Sequence, residues 1–340
     1  MITSSGFYAT RPQAVAESSV TEEPQKRRFH LPRWFKPALR IIIFVVVAAG
    51  VVHAVWKAYG DVQQQEFSLW EVDWRWLIAS GVVYLVGLAP SWLYWHLVVR
   101  SLGQRPSLVE TLRGYYISHL GKYVPGKAMV VVVRAGMVAG PRTSGAVAAA
   151  AVFVETLTMM AVGAAIAAGL LAALYHQQMW LLALSLGLCV CAAVPTLPPV
   201  FRFCVRMLRL DRTRPEVGEA VKRLNLRLML VGWAMMALLW LLLGLSLLAT
   251  IACMPGVTLT AADLPQAVPL SVCCVALATV AGFVSMLPGG VAVRELVVIS
   301  LLAPWYGEVV AVVSAVLLRL VWLLSELGIS TILYLVGRPT

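Results

Sequence analysis

The stretch that decides the reading is Leu287-Pro288-Gly289-Gly290-Val291-Ala292-Val293-Arg294-Glu295. A Pro-Gly break and an adjacent arginine and glutamate interrupt a chain that is otherwise apolar for many residues on either side. A second stretch has the same character: Gly121-Lys122-Tyr123-Val124-Pro125-Gly126-Lys127. The two share more than the break. Pro106, Pro125 and Pro141 are spaced as Pro269, Pro288 and Pro304 are, and Gly126 and Gly289 keep the same register. Proline marks helix ends, but that alone does not account for equal intervals.

Around these breaks the composition is that of a membrane protein. Sixty per cent of the 340 residues are hydrophobic and 13% are charged. Soluble domains are nearer one half apolar and about one quarter charged. The bilayer core is about 30 Å thick and takes roughly 20 residues of helix. The chain offers six full spans of that order, at residues 38–59, 76–99, 143–174, 179–199, 228–253 and 305–336. Residues 1–37 are polar and aperiodic and read as a disordered cytoplasmic tail, with no cleavable signal peptide ahead of the first span. The expected fold is an all-α polytopic membrane protein.

The net charge of +11 belongs to the tail and to one loop, residues 201–227. A basic excess of this kind marks cytoplasmic loops and argues against a nucleic-acid partner. Within 201–212 the arginines fall on one helical face, which suits a helix lying in the headgroup layer. The positive-inside rule places both termini in the cytoplasm of a multi-pass inner-membrane protein. That scheme closes only if residues 107–140 and 266–303 each enter and leave on one side. They are expected to be two re-entrant broken-helix hairpins of opposite entry, an inverted repeat. Its halves centre on 106–174 and 269–336. Transporters built from such repeats hold their substrate between the copies.

Charge inside a bilayer costs about 2.5 to 3.5 kcal/mol per group on insertion scales. Lys122, Lys127 and Arg134 cluster at the first break, and Arg294 and Glu295 at the second. Glu155, Arg319 and Glu326 lie well inside long apolar runs, and Arg319 and Glu326 are two turns apart on one face. Half-helix N-termini at Pro125-Gly126 and Pro288-Gly289 can receive a phosphate. Lys122, Lys127 and Arg294 would assist. Glu155 and Glu326 would balance Arg134 or Arg319 or meet a cationic headgroup. Structural ion pairs that pin helices are the competing account. The histidines, His30, His53, His96, His119 and His176, are scattered, and His119 is read as a buried, satisfied side chain. The cysteines lack metal spacing and read as small apolar residues. No enzyme chemistry, metal or cofactor is expected.

The two quoted segments, with Arg319 and Glu326, resemble the signatures of the lysylphosphatidylglycerol synthase transmembrane, flippase-like family. The likeness covers residues 38–337. One departure is Thr156, after Glu155, where members often carry arginine. The resemblance implies a lipid translocator. It also implies a stand-alone member without the aminoacyl-transferase domain. It adds Gly290 to a substrate-binding set of Lys122, Pro125, Gly126, Lys127, Arg134, Glu155, Pro288, Gly289, Arg294, Glu295, Arg319 and Glu326. Aminoacylated or anionic phospholipid, glycolipid and polyprenyl-phosphate are all open as substrates. The partners expected are membrane lipids, with a lipid-modifying enzyme as a further candidate. An accessory subunit of a glycosyltransferase or envelope-assembly system, or a lipid-headgroup enzyme, are the alternatives.

Overall fold

The structure is a computed structural model, and it describes residues 71–123, 128–174, 194–207, 214–285, 290 and 292–336. Among these residues every named element is helical. In chain order they are α1 (Trp74–Ser101), α2 (Leu108–His119), α3 (Ala128–Val138), α4 (Gly145–Leu174), α5 (Pro198–Met207), α6 (Pro215–Val221), α7 (Leu226–Ala252), α8 (Leu264–Val284), α9 (Val293–Tyr306) and α10 (Glu308–Val336). A 3-10 turn, Leu120–Tyr123, continues α2.

Five of these helices are long and apolar enough to cross a membrane: α1, α4, α7, α8 and α10. Four of them match spans read from the sequence. The span expected at 38–59 lies outside the described residues, and of that expected at 179–199 only 194–199 are described, as a 3-10 turn and the start of α5. The fifth, α8, was expected as a hairpin arm. The last span is shorter than expected, because Gly307, at φ 83°, ends α9 and lets α10 begin at Glu308. A side chain there would be strained, whereas glycine takes this conformation freely.

The distribution of side chains is inverted relative to a water-soluble protein. Ile78 is 67% exposed and Leu230 60% exposed, whereas Arg134, Glu155 and Glu326 are 3%, 2% and 1% exposed. Apolar outer faces and buried charges are what a hydrocarbon solvent demands. The chain is an all-α integral membrane protein.

Helices α1, α4, α7, α8 and α10 pack together as the centre of the bundle. Small residues let them approach closely, as in membrane bundles generally. Trp240 lies over Gly163, where a Cβ would sit 2.5 Å from its ring, and donates from Nε1 to the Met159 carbonyl at 3.1 Å. Ser80 of α1 meets Ser246 and Thr250 of α7 at 2.9 Å each, and Ser246 accepts from Trp322 Nε1 of α10 at 2.9 Å. This polar knot fixes three helices in register without placing a charge in the core.

Each Pro-Gly segment joins two helices that fold back on each other. In the first, Gly114 lies against Val138, Ser118 bonds Arg134, and Gly121 lies against Val130, so the strands of chain run antiparallel. In the second, Thr279 bonds Arg294 and Gly282 lies against Gly290. The break residues 124–127 and 286–289 lie outside the described residues. The equal proline spacing does not extend to the helix ends. Pro106 and Pro141 are outside helices, whereas Pro269 and Pro304 are inside α8 and α9. The first arm of the second hairpin is also longer, at 21 residues against 12.

The two hairpins open at opposite ends of the bundle. The first opens where Arg105 N–H donates to the Arg142 carbonyl at 3.2 Å and Arg142 pairs with Glu110 at 2.9 Å. Arg223 lies against Gly103 there, and Gln104 accepts from Ser144 N–H. The second opens where Asp263 and Gln266 share a cavity with Trp305 and Tyr306. The first end is rich in arginine; the other carries Asp263 and Glu308.

The basic loop contains α5 and α6. Phe203 and Met207 of α5 are exposed, and Arg202 reaches back to donate to the Leu224 carbonyl at 2.9 Å. Residues 208–213, which carry the rest of the expected arginine face, are outside the described residues.

Candidate functional site

Seven of the charged residues singled out from sequence meet in two places. The first place is the pair Arg134 and Glu155. Nη1 of Arg134 donates to Oε2 of Glu155 at 2.9 Å, and Nε donates to Ser118 Oγ at 2.9 Å. The guanidinium carbon lies 4.2 Å from the Tyr115 ring centre and 5.4 Å from that of Trp95. Ser91 donates to the other oxygen of Glu155, and Thr156 donates to Oε2 at 3.2 Å. Thr156, the departure from the family pattern, is thus a ligand of Glu155, and the arginine comes from α3 instead. Every described contact here is filled, which is the pattern of an anchor between the first hairpin and α4.

The second place is a cavity between the end of the first hairpin's incoming arm, the second hairpin and α10. Lys122, Tyr123, Thr279, Arg294, Glu295, Arg319 and Trp322 are among its lining residues. Its water-accessible volume is about 50 Å³, room for a few waters at ~10–15 Å³ each. Glu326, buried beside it, accepts from Tyr84, from Lys122, and from Tyr123 at 3.1 Å. Lys122 and Glu326 therefore tie the first hairpin to α10. Arg319 pairs with Glu295.

The sequence lets Glu155 and Glu326 balance Arg134 or Arg319 or meet a cationic headgroup. Glu155 does take Arg134, whereas Glu326 takes Lys122. Arg319 takes Glu295, which left no cation for Glu326 on its own helix. A pattern appears in the result. In each hairpin the outgoing arm pairs with the next long helix, Arg134 with Glu155 and Glu295 with Arg319, with the charges exchanged.

Arg294 stands apart. It is half-buried, donates from Nη2 to Thr279 Oγ1 at 2.6 Å, and lies 5.8 Å from the Trp322 ring centre. Among the described residues no carboxylate pairs with it, although Glu295 is its neighbour in sequence. Glu295 Oε2 is buried and makes no hydrogen bond. The stem of Arg294 lies in a groove made by two glycines. A Cβ on Gly282 would sit 2.6 Å from Arg294 Cγ, and one on Gly290 2.8 Å from Cδ. Just before α9, Ala292 takes φ 68° and ψ −44°, a conformation that suits glycine rather than alanine. The backbone around Arg294 is thus shaped tightly to place one guanidinium at the cavity.

Lys127, Pro125, Gly126, Pro288 and Gly289 lie outside the described residues. At the cavity four participants were missed from sequence, Tyr84, Tyr123, Thr279 and Trp322, and at the Arg134–Glu155 pair Ser91, Ser118, Tyr115 and Trp95. Tyr84 stacks on Trp322 with ring centres 4.4 Å apart and planes at 13°, and the serine knot holds Trp322 in turn. The available signal was a tyrosine near the middle of a spanning helix, since a buried phenol needs a partner. His119 is half-buried, and its Nδ1 bonds the Tyr115 carbonyl at 3.1 Å. Cys253, Cys273 and Cys274 are buried free thiols.

Fold and site together define an α-helical integral membrane protein whose buried charges gather where two broken-helix hairpins meet the long helices. The profile described as "Lysylphosphatidylglycerol synthase TM region" matches residues 38–327, and the chain belongs to that family. The family is a membrane domain linked to lipid handling. A search of curated proteins found no match.

Proposed function

We propose that this protein translocates a lipid with a charged headgroup across the bilayer, and that Arg294 receives the headgroup phosphate. One observation carries this reading. Arg294 lines a cavity at the hairpin junction, is held there by two glycines and Thr279, and has no carboxylate partner among the described residues. A guanidinium placed this way offers two parallel donors to a phosphate. Lys122 and Arg319 supply further positive charge, each already held by a carboxylate that a headgroup could displace.

The proposed topology rests on the two ends of the bundle. The arginine-rich end, with the loop of α5 and α6, is cytoplasmic by the charge rule. The end with Asp263 faces outward, in an inner membrane, with both termini inside. On this reading the two hairpins are re-entrant and inverted. Arg134 and Glu155 belong to the same set as an anchor, while Glu295, Arg319, Lys122 and Glu326 surround the headgroup. Membrane lipids are the partners. A lipid-modifying enzyme that makes the transported lipid is a further proposed partner.

The test is translocation by purified protein in liposomes. Fluorescent anionic, aminoacylated and zwitterionic phospholipids are placed in both leaflets, and outer-leaflet label is quenched. Protein-dependent loss of protection for at least one charged lipid is expected. Inactivity until an envelope enzyme is added would favour the accessory-subunit reading. A chemically altered lipid would mean an enzyme.

A further inference from the structure

A second cavity lies at the opposite end of α8 and α9 from the charged junction. Its water-accessible volume is about 420 Å³, within the ~300–1,000 Å³ of small-molecule pockets. Three parts of the chain build it: the turn after α7, the first turns of α8, and the end of α9. Thr258, Asp263 and Gln266 supply its polar groups, and Leu270, Trp305 and Tyr306 are among its apolar and aromatic ones. Among the described residues no lysine or arginine lines it.

Asp263 is fixed rather than free to swing. Its Oδ2 accepts from the Thr260 N–H at 2.8 Å and from the Thr260 hydroxyl at 2.7 Å. These two bonds also hold its carboxyl below the usual carboxylate range. Its Oδ1 makes no bond to a described residue. The C-terminal end of α9 adds partial negative charge that offsets the partial positive charge of the α8 N-terminus, leaving the Asp263 carboxylate as the net charge of the cup. The surrounding surface has the same sign. Asp73 is joined to this end by its N–H bond to the Cys253 carbonyl at 3.1 Å, and Glu71 and Glu308 lie beside Asp73 and Tyr306 in sequence. Arg75 is the one described cation among these residues. An aromatic pair beside a fixed carboxylate attracts an alkylated ammonium by charge and by the negative faces of the rings. A bare metal ion is a poor fit, because no group of three or more metal-ligating side chains occurs among the described residues.

We propose that this cup binds an organic cation, a small ammonium group that sets its charge on Asp263 and its alkyl groups against Trp305 and Tyr306. The site is separate from the charged junction. It lies between the two ends of the second hairpin, so that occupancy would brace α8 against α9.

The test uses full-length protein in nanodiscs of phosphatidylglycerol, with binding read by saturation-transfer NMR. The probes are choline, its neutral isostere 3,3-dimethylbutanol, and dihexanoyl-phosphatidylcholine. Choline or the short lipid is expected to bind in the millimolar range, with the isostere about tenfold weaker. Asp263→Asn and Trp305→Ala should each weaken the cation by about threefold or more. Asp263→Glu, which keeps the charge, should retain binding and guards against a folding artefact in the Asn variant. Binding of choline alone identifies a free cation as the source; binding of the lipid, alone or also, identifies a headgroup. Equal binding of the isostere, no effect of Asp263→Asn on a folded protein, or no binding of either cation would overturn the proposal.

Discussion

Lys122 and Glu326 are the one described ion pair that joins the first hairpin to the last helix. Replacing Lys122 with methionine keeps most of the stem volume and removes the charge. Glu326, 1% exposed, would then keep, among the described residues, the Tyr84 and Tyr123 hydroxyls as donors. Breaking a buried pair from one side costs about 3 to 5 kcal/mol. The Lys122 side chain is 24% exposed, and water reaching that side places the expectation at the low end, about 3 kcal/mol. For a chain of 340 residues, at ~2.1 cal/mol/K of unfolding entropy per residue, that corresponds to a fall of about 4 °C in melting temperature. Adding Glu326→Gln removes the stranded charge and leaves a side chain that Tyr84 and Tyr123 can still bond. The double variant should recover more than half of the loss, a coupling of about 1.5 kcal/mol or more. Melting of the four proteins in one detergent, followed by intrinsic fluorescence, gives the cycle. Additive losses, or a Lys122→Met protein that melts with the wild type, would refute the pairing as a stabilising link.

Arg134→Leu should be more damaging than Lys122→Met, because both members of its pair are nearly excluded from solvent. Detergent-extracted yield and melting temperature should fall together, while transport per folded molecule stays near normal. Ala292→Gly relieves a positive φ that costs about 1 to 3 kcal/mol, so its melting temperature should rise. If that strain positions Arg294, transport should fall at the same time. A cysteine replacing Ala262 should react with an impermeant maleimide from outside, and one replacing Glu219 only after permeabilisation. External labelling at Glu219 would reverse the topology.

The sequence exposed the breaks, the charges and most of the long helices because each violates or satisfies a simple rule of the bilayer. Pro288-Gly289 cannot sit quietly inside a span, and Arg294 beside it is too costly to be incidental. What stayed hidden was the pairing. Glu326 lies two turns from Arg319 on one face, so helical periodicity favours the two acting together, yet Glu326 bonds a lysine from far earlier in the chain. Only the packing of the first hairpin against α10 creates that contact. Tyr84 and Trp322 were hidden for a related reason. An aromatic residue in an apolar helix reads as core until a neighbouring helix supplies the carboxylate or hydroxyl that its polar atom meets. Gly282 and Gly290 carry no sign in the sequence that they form the walls of a slot for one arginine stem. The start of the last span also differs: expected at residue 305, it falls at Glu308, because Gly307, not Pro304, separates α9 from α10.

The central claim is that Arg294 receives a lipid phosphate and is not merely structural. Arg294→Lys keeps the charge but cannot reproduce the two parallel bonds of a guanidinium. The decisive measurement is lipid translocation by reconstituted Arg294→Lys protein, paired with its melting temperature. The account predicts a melting temperature close to wild type and loss of most translocation, about tenfold or more if one charge-assisted hydrogen bond worth ~1.5–3 kcal/mol is lost. Unimpaired translocation by a stable Arg294→Lys protein would contradict it.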